Sequence, residues 1–535
     1  MDMLFPLPTP REMGVWDAMS HDEVGIPPEM LMENASRAAL EVLLAETGPV
    51  HGKAVLVVAG PGNNGGDALA LARHLHDLQA RVLVLHTRPE AGYSGISGMH
   101  LQIARKAGVE LRLLDASSPA SLPAADIVID GLLGTGLRDA LKPAYAELVQ
   151  SINALGKTAF VLALDIPSGL DGRHGQPLPV AVRANVTVTF EAAKPGLVLP
   201  GSRDYVGRLH VRPIGIPLLV KRKYPARCGL LNDAVGSLIP AAAPDLHKGQ
   251  AGHVLVIGGS VGLTGAPLLA ALGALRAGAG LVTVACPADL AIEIKAGHPE
   301  IMTLPLGRGQ EWEPDAASAL LSGLDRFDAL VLGPGLGRAP GALRFLEALL
   351  PGQRPPMVLD ADGLYWLAGE PALFGLLSDR DVVTPHYGEM ARLVSGQPSP
   401  AELPFFERID LARRFARQHR LTTVLKGACS IVAGARDGLA LSPFSEPNLA
   451  VAGSGDVLAG LLGALLGRGL APWQAACLAV YVHGRCGAML RTKYPLRGNL
   501  TREIAHAIPC ALEELHNAYR QRHHDPQSGD PHARG

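Results

Sequence analysis

Two hydrophobic rhythms alternate along this chain. Short apolar runs that end in glycine or an acid read as buried strands: Ala54-Val55-Leu56-Val57-Val58, residues 81–86, Ile127-Val128-Ile129 and residues 159–164, with shorter ones at 186–190 and 207–211. Between them, residues 13–20, 28–46, 98–107 and the stretch that runs through His76 read as helices. Apolar strands alternating with helices predict a parallel, doubly wound sheet.

The same alternation restarts downstream. Lys221-Arg222-Lys223, read as a solvated face, and an Ala/Pro stretch at 240–244 place a boundary between about 213 and 250. A strand and glycine loop follow at His253-Val254-Leu255-Val256-Ile257-Gly258-Gly259-Ser260. Later strand ends fall at Gly333-Pro334-Gly335, Asp360-Ala361-Asp362, Thr384-Pro385-His386 and Lys426-Gly427. The expectation is an α/β protein of two doubly wound domains, residues 1–220 and 221–520, with 521–535 a disordered tail. His523 and His524 then belong to a solvated tail and not to a metal site.

Composition narrows the class. A chain of 535 residues is too long for one core. With 48% hydrophobic and 18% charged residues it is globular, and a net charge of −2 argues against a broad nucleic-acid surface. None of the six cysteines stands in a C-x-x-C pair, which fits reduced thiols and no zinc or disulfide framework. There is no basic-then-apolar secretory layout, and the longest apolar run, near 457–467, falls short of the ~18 residues a bilayer requires. A cytoplasmic protein with small-molecule partners and no membrane or nucleic acid is expected, assembled as a homo-oligomer.

The segment Gly453-Ser454-Gly455-Asp456 carries the most chemistry. Small residues lead into it and the apolar run Val457-Leu458-Ala459-Gly460-Leu461-Leu462 follows, which reads as a loop feeding a helix N-terminus. Glycines leave backbone N–H groups free to converge on an anion there. A carboxylate at that spot suits a general base beside a transferring phosphoryl group. Asp is also a common helix N-cap, so this segment alone leaves both readings open.

In the first half, Gly60-Pro61-Gly62-Asn63-Asn64-Gly65 matches G-x-G-x-x-G after a strand, a weak signal. A dinucleotide fingerprint also asks for an acid at the end of the next strand, and here that strand ends His86-Thr87-Arg88, so a hydride-transfer site is not expected. Leu155-Gly156-Lys157-Thr158 resembles the end of a P-loop, but Ser151 stands where a glycine is required. Asn64, Asp67, Asp130, Asp165 and Ser168 all fall beyond strand C-termini, where ligands gather in open α/β sheets. Asp67 alone could cap its helix and Asp165 alone could begin a turn. Together these neutral oxygens and carboxylates suit a hard, monovalent cation better than zinc.

These residues carry a resemblance. Gly60 through Asp67, Asp130-Gly131-Leu132-Leu133-Gly134-Thr135-Gly136 and Asp165-Ile166-Pro167-Ser168-Gly169 resemble the epimerase half of the bifunctional NAD(P)H-hydrate repair enzymes, which has a Rossmann-like three-layer fold. The motifs from Lys248-Gly249 through Asp456, in order, resemble that family's ribokinase-like dehydratase half, and together the matches run from about 10 to 515. The resemblance implies that R and S forms of NADHX and NADPHX are interconverted. It also implies that the S form is dehydrated with ADP, the ring hydroxyl being phosphorylated so that phosphate, AMP and NAD(P)H are released.

Carried over by motif, Asn63, Asn64, Gly65, Gly66, Asp67, Gly134, Thr135, Gly136, Leu137, Arg138, Asp139, Ala140 and Asp165 contact the epimerase substrate, with Asp165 as its acid/base. Asn64, Asp130 and Ser168 hold K+. Ala266, Gly335, His386 and Asp456 contact the hydrate in the dehydratase, with Asp456 as base. Lys426, Gly427, Ala428, Cys429, Ser430 and Gly455 bind the adenine nucleotide, and Mg2+ accompanies its phosphates. Three departures stand out: Ala68 where the family usually has Gly, Leu263 where it often has Tyr, and Tyr387 where it often has Pro. The alternative is a ribokinase-superfamily small-molecule kinase fused to a nucleotide-binding or interaction module, which the Asp456 loop fits equally well.

Overall fold

A computed structural model of the chain describes residues 3–114, 122–137, 139–436 and 438–524. Arg138 and the tail from 525 onward, both named above, lie outside the described residues. The chain divides into two compact units, Pro6–Arg227 and a second comprising Cys228 onward together with the residues up to Phe5.

The first unit is built on a parallel sheet in the order Glu110–Leu113, Arg81–His86, Ala54–Ala59, Ile127–Gly131, Phe160–Leu164, Val186–Phe190, Arg208–Arg212. The central strands are buried on both faces, which is why they read as continuous apolar runs. One core packs the helices Pro28–Thr47 and Asn63–Asp77 on one face, including Leu43, Val57 and Leu71. Another packs Pro143–Leu155 on the other through Leu148, Val149 and Ile152.

The second unit holds a longer mixed sheet, in the order Leu4–Pro6, Gly229–Leu231, Leu439–Leu441, Ile431–Ala433, Thr422–Leu425, Val382–Val383, Met357–Leu359, Ala329–Leu332, His253–Ile257, Leu281–Pro287, Met302–Leu306. The purely parallel expectation fails at Thr422–Leu425, Ile431–Ala433 and Leu439–Leu441, which pair antiparallel. The connections 426–430 and 434–438 are too short for a crossover helix, so the strands fold back as a meander. The helices Gly265–Arg276, Ser454–Gly467 and Pro472–Lys493 are rich in Ala, Gly and Leu and fill the core of this unit.

Two expectations about the edges of the units are corrected. Lys221-Arg222-Lys223 is not simply a solvated face or linker. It ends the helix Leu218–Lys223, where Lys221 pairs with the buried carboxylate of Glu191, which also accepts the N–H groups of Ile214 (3.0 Å) and Ile216 (3.2 Å). Trp16 Nε1–H donates to Tyr224 O at 2.7 Å, so residues 221–227 pack with the first unit. Residues 521–524 are helical, because nothing in Gln521-Arg522-His523-His524 interrupts the helix Thr501–His524 before Pro526.

Register brings the first unit's chemistry together. Val58, Asp130 and Ala163 stand side by side across neighbouring strands, so Asp130, the loop after Ala59 and Asp165 all emerge at one edge. That edge is tightly packed. A Cβ on Gly65 would lie 1.7 Å from Gly60 O, so the helix can start this close to the strand only with glycine there. A Cβ on Gly131 would lie 2.3 Å from the Cβ of Ala68, which is fully buried. The methyl of Ala68 is accommodated because position 131 has none. Gly131→Ala should therefore cost about 1–3 kcal/mol by overpacking. Ala68→Gly alone should cost about 1 kcal/mol of helix propensity. The double variant should be more stable than the sum of the two losses, measured as denaturant midpoints in a double-mutant cycle; strict additivity would show that the two positions do not share this space.

Candidate active sites

In the first unit a cavity of about 1080 Å³ opens beside these strand ends. Its lining includes Asp17, Asn63, Asn64, Asp67, Arg88, Gly134, Thr135, Gly136, Leu137, Asp139, Ala140, Asp165 and Lys194. The described residues expected to contact the epimerase substrate thus converge here, except Gly65 and Gly66, which are buried in the first turn of the helix Asn63–Asp77 behind it. Asp67 does not cap that helix: the N-cap is Gly62, and Asp67 lies in the second turn.

Asp165 sits at a backbone φ of +60°, its N–H bonded to Val188 O at 2.7 Å. Its Oδ1 takes every hydrogen bond that reaches the carboxylate among the described residues: from Thr189 Oγ1 (3.1 Å), the Phe190 N–H (3.3 Å) and Lys194 Nζ. The Lys194 side chain is 1% exposed, and its ammonium also donates to Thr189 Oγ1 (2.9 Å) and Phe190 O (3.1 Å). Its proton donors are saturated, and Oδ2 of Asp165 remains without a protein partner. Around this pair, burial raises the Asp17 carboxyl to about 6, with Lys194 opposing and Asp165 and Glu191 reinforcing. Asp67 rises well above the usual carboxylate range through burial and then the charges of Asp165 and Asp17. Asp17 and Asp67 are thus protonatable carboxyl groups beside the pair.

Asp130 is fully buried and accepts from Ser168 Oγ (2.6 Å), the Ser168 N–H (2.8 Å) and the Leu132 N–H (3.3 Å), yet burial still raises it to about 6. Leu133 stitches this carboxylate to Asn64: its O accepts from Asn64 Nδ2 (2.7 Å) and Ser168 Oγ (3.1 Å), and its N–H donates to Ser168 Oγ (2.8 Å). Asn64 Oδ1 is buried with no hydrogen-bond donor among the described residues. A buried oxygen without a donor, close to one formal negative charge, fits an oxygen-ligated monovalent cation.

In the second unit Asp456 is the third residue of the helix Ser454–Gly467, whose N-cap is Gly453 at φ +86°. The capping alternative for Asp456 is thereby removed. Burial, then the charge of Asp360, pushes its carboxyl up to about 8, with Lys426 opposing. Lys426 Nζ lies 2.5 Å from Asp360 Oδ1 and 3.8 Å from Glu389 Oε2. Burial works against its charge, but Asp360 and Glu389 outweigh that and hold Lys426 above the usual lysine range. Glu389 is raised to about 7 by burial, with Lys426 opposing and Asp360 reinforcing. A Cβ on Gly455 would come 3.0 Å from Lys426 Nζ, so the glycine lets the helix start close to the lysine.

The other expected dehydratase residues gather around this cluster. Gly335 faces Ala266, a Cβ built on it lying 3.3 Å from that of Ala266. Asp362 accepts the Gly337 N–H (3.0 Å) and Arg338 Nε–H (3.1 Å). His386 is not a core histidine: its side chain is 56% exposed and caps the helix Tyr387–Leu393, Nδ1 accepting the N–H groups of Gly388 (3.0 Å) and Glu389 (3.2 Å). Nδ1 thus acts as acceptor, which leaves the ring proton on Nε2, 3.5 Å from Glu389 Oε1. In the loop 426–430, Ser430 Oγ closes on Gly427 O at 3.1 Å. Cys429 is buried, with Sγ 3.0 Å from Ser442 O and its N–H donated to Phe444 O at 3.1 Å, so thiol and amide are both engaged within the fold.

Lys194, Asp17, Glu389 and His483 were not singled out from the sequence. Lys194, in Ala192-Ala193-Lys194-Pro195-Gly196 just after a strand, had a signal: a lone charge amid small residues at a strand end. Glu389, three residues after His386, completes a capping box. His483 is buried in the middle of the helix Pro472–Lys493, where Nε2 lies 3.1 Å from both Ser454 Oγ and Ser454 O, and burial lowers it to about 4. No local pattern announces a partner that far away.

Comparison with known proteins covers both units. The YjeF-related protein N-terminus family matches residues 28–196 and the NAD(P)H-hydrate dehydratase family matches residues 254–510. The chain is 37% identical over 521 residues to the bifunctional NAD(P)H-hydrate repair enzyme Nnr of Moorella thermoacetica, covering 95% of this chain and 97% of that protein. It is 35% identical over 540 residues to the protein of the same name from Salinibacter ruber, covering 97% and 98%. A solved ADP/ATP-dependent NAD(P)H-hydrate dehydratase from Bacillus subtilis, co-crystallised with ATP/Mg2+, aligns at 25% identity and a TM-score of 0.44, covering 54% of this chain and 98% of that one.

Proposed function

The chain belongs to the bifunctional NAD(P)H-hydrate repair enzymes, and we propose that its first unit epimerises R and S hydrates of NADH and NADPH in the Asp165 cavity. On the same reading its second unit dehydrates the S hydrate with ADP at the Asp456 cluster. The observation that carries this reading is the Asp165–Lys194 arrangement, one carboxylate oxygen locked by three donors and the other unpartnered on a cavity wall.

Inverting a hydroxyl-bearing ring carbon beside the ring nitrogen needs one of its bonds to break and re-form on the other face: as a base takes the hydroxyl proton the carbonyl forms and the ring C–N bond opens, its nitrogen taking up a proton, and re-closure on the opposite face reverses both transfers. Oδ2 of Asp165 is that base. Lys194 fixes the carboxylate's rotation and supplies a buried countercharge, and the protonatable Asp17 and Asp67 beside it can hold a proton in transit. Asn64, Asp130 and Ser168 would hold K+, which supplies a fixed positive charge next to the bound hydrate. In the second unit, Asp456 takes the proton of the ring hydroxyl as its oxygen bonds to the terminal phosphorus of ADP and the bond to AMP breaks. Loss of phosphate, with a ring proton, then restores the double bond. The backbone N–H groups at Gly455, in the first turn of its helix, would meet the phosphates, whereas in the 427–430 loop those of Gly427 and Cys429 are taken by Ser430 Oγ (3.4 Å) and Phe444 O (3.1 Å). Mg2+ would arrive on those phosphates, since among the described residues no cluster of His, Cys, Asp or Glu is arranged to hold a metal by itself. Lys426, engaged by Asp360, neutralises the carboxylates and leaves room for phosphate charge.

Asp165→Asn should slow epimerisation about 10²–10⁴-fold, followed as loss of the R hydrate by chromatography with ADP omitted. Lys194→Met should slow it about 10–100-fold through kcat more than KM; a normal Lys194→Met rate beside a dead Asp165→Asn would leave Lys194 with a packing role only.

Replacing K+ with tetramethylammonium should lower the epimerisation rate several-fold and the melting temperature of the first unit. Asn64→Leu should abolish both responses. A wild-type chain indifferent to K+ in rate and melting would remove the ion from the site.

Asp456 is protonated below about pH 8 and becomes a base as pH rises. Dehydratase kcat/KM, read as NADH absorbance from S hydrate and ADP, should therefore climb along an acid limb centred near that pH. Asp456→Asn should flatten the limb and drop the rate about 10²–10⁴-fold; a variant that retains both rate and limb excludes Asp456 as the base.

A further inference from the structure

The order of the first sheet is that of a dinucleotide fold, with Ala54–Ala59 as the founding strand and Arg81–His86 beside it. In such folds the end of the second strand reads the adenosine ribose, an acid there recognising a free 2′-hydroxyl and an arginine accommodating a 2′-phosphate. This chain has His86-Thr87-Arg88 at that place. The nearest acid, Glu90, is engaged by Arg105 and is not offered to a ribose.

Arg88 lines the same cavity as Asn63, Asp67 and Asp165. Its backbone is fixed, because His86 Nδ1–H donates to Arg88 O at 2.7 Å. Its stem lies along Gly92, where an added Cβ would sit 3.3 Å from Arg88 Cβ and 3.5 Å from Cδ. Among the described residues the guanidinium has neither an ion pair nor a hydrogen bond. Lys194, a cation deep in the same cavity, already spends its donors on Asp165, Thr189 and Phe190. A planar, unpaired guanidinium on the wall of a nucleotide cavity matches a phosphate monoester through two parallel N–H bonds.

We propose that Arg88 reads the 2′-phosphate of the hydrated coenzyme, so that the epimerase site prefers NADPHX to NADHX. The inference rests on the reading of this cavity as the epimerase site. Arg88 is exposed, so its replacement leaves the fold intact, checked by melting temperature.

The test uses the full chain without ADP and compares epimerisation kcat/KM on R-NADPHX and R-NADHX for wild type, Arg88→Gln, Lys142→Ala and Asp165→Asn. Lys142 is the comparison because it also lines the cavity. Wild type should favour NADPHX by about 10–100-fold, the range expected of a charge-assisted contact. Arg88→Gln should collapse that ratio towards unity, chiefly through KM for NADPHX. An equal loss on both substrates, a wild type without preference, or a ratio that collapses in Lys142→Ala and persists in Arg88→Gln would each overturn the proposal. A wild type that epimerises and an Asp165→Asn chain that does not keep the underlying reading intact whichever way Arg88 falls.

Discussion

Each unit has to place several carboxylates at the buried ends of strands, and each does so around one lysine. Lys194 holds Asp165 in the first unit and Lys426 holds Asp360 and approaches Glu389 in the second. An isolated carboxylate buried there would take up a proton or force the loop open. With one ammonium among several acids, the nearest acid is matched and the outer ones are not. The unmatched acids carry the raised values: Asp17 and Asp67 around Lys194, Asp456 and Glu389 around Lys426. Burial that no matching positive charge offsets is thus what leaves groups able to exchange protons near neutral pH.

The two lysines differ in what they leave open. Lys194 is sealed, with its donors divided among a carboxylate, a hydroxyl and a carbonyl. It can orient Asp165 but cannot reach a ligand. Lys426 is less enclosed, with its side chain 18% exposed, and only glycine at 455 separates it from the start of the helix that carries Asp456. A phosphate arriving at that helix N-terminus meets converging N–H groups and a nearby cation whose charge is already shared. This suits transfer, because a phosphate held too tightly by an uncompensated lysine would be slow to leave.

Much of this was legible in the chain. The strand ends were visible because fully buried parallel strands are apolar throughout, and a ligand edge follows from strand direction alone. Asp130 and Asp165 were found because each ends such a run with a charge, and Asp456 because it stands in a glycine loop ahead of an apolar helix. What stayed hidden depends on partners distant in sequence. Lys194 matters through Asp165, 29 residues away, and His483 through Ser454, also 29 residues away. The antiparallel meander at 422–441 was missed because its strands are short and the first connection, 426–430, reads as a nucleotide-binding motif. The kinase-plus-module alternative fitted the Asp456 loop equally well, and only the match of both halves to single relatives separates the two.

The departures from the family pattern show how such edges tolerate change. Ala68 adds a methyl where the helix crosses a strand, and Gly131 opposite it has none. Tyr387 adds an aromatic ring beside the loop 426–430; a Cβ on Gly427 would lie 2.4 Å from its hydroxyl, while Arg408 stacks over the ring at 4.7 Å and donates to the hydroxyl at 3.1 Å. In both places the added atoms occupy space that a glycine elsewhere in the chain leaves empty, and the backbone needs no rearrangement. Leu263 follows a different logic. It is about half exposed, and its backbone O lies 2.3 Å from where a Gly335 side chain would begin, so the loop's path depends on Gly335 and not on the side chain at 263. Backbone close approach at glycine therefore preserves the geometry of both pockets, and side chains around it can vary as long as the glycine facing them does not.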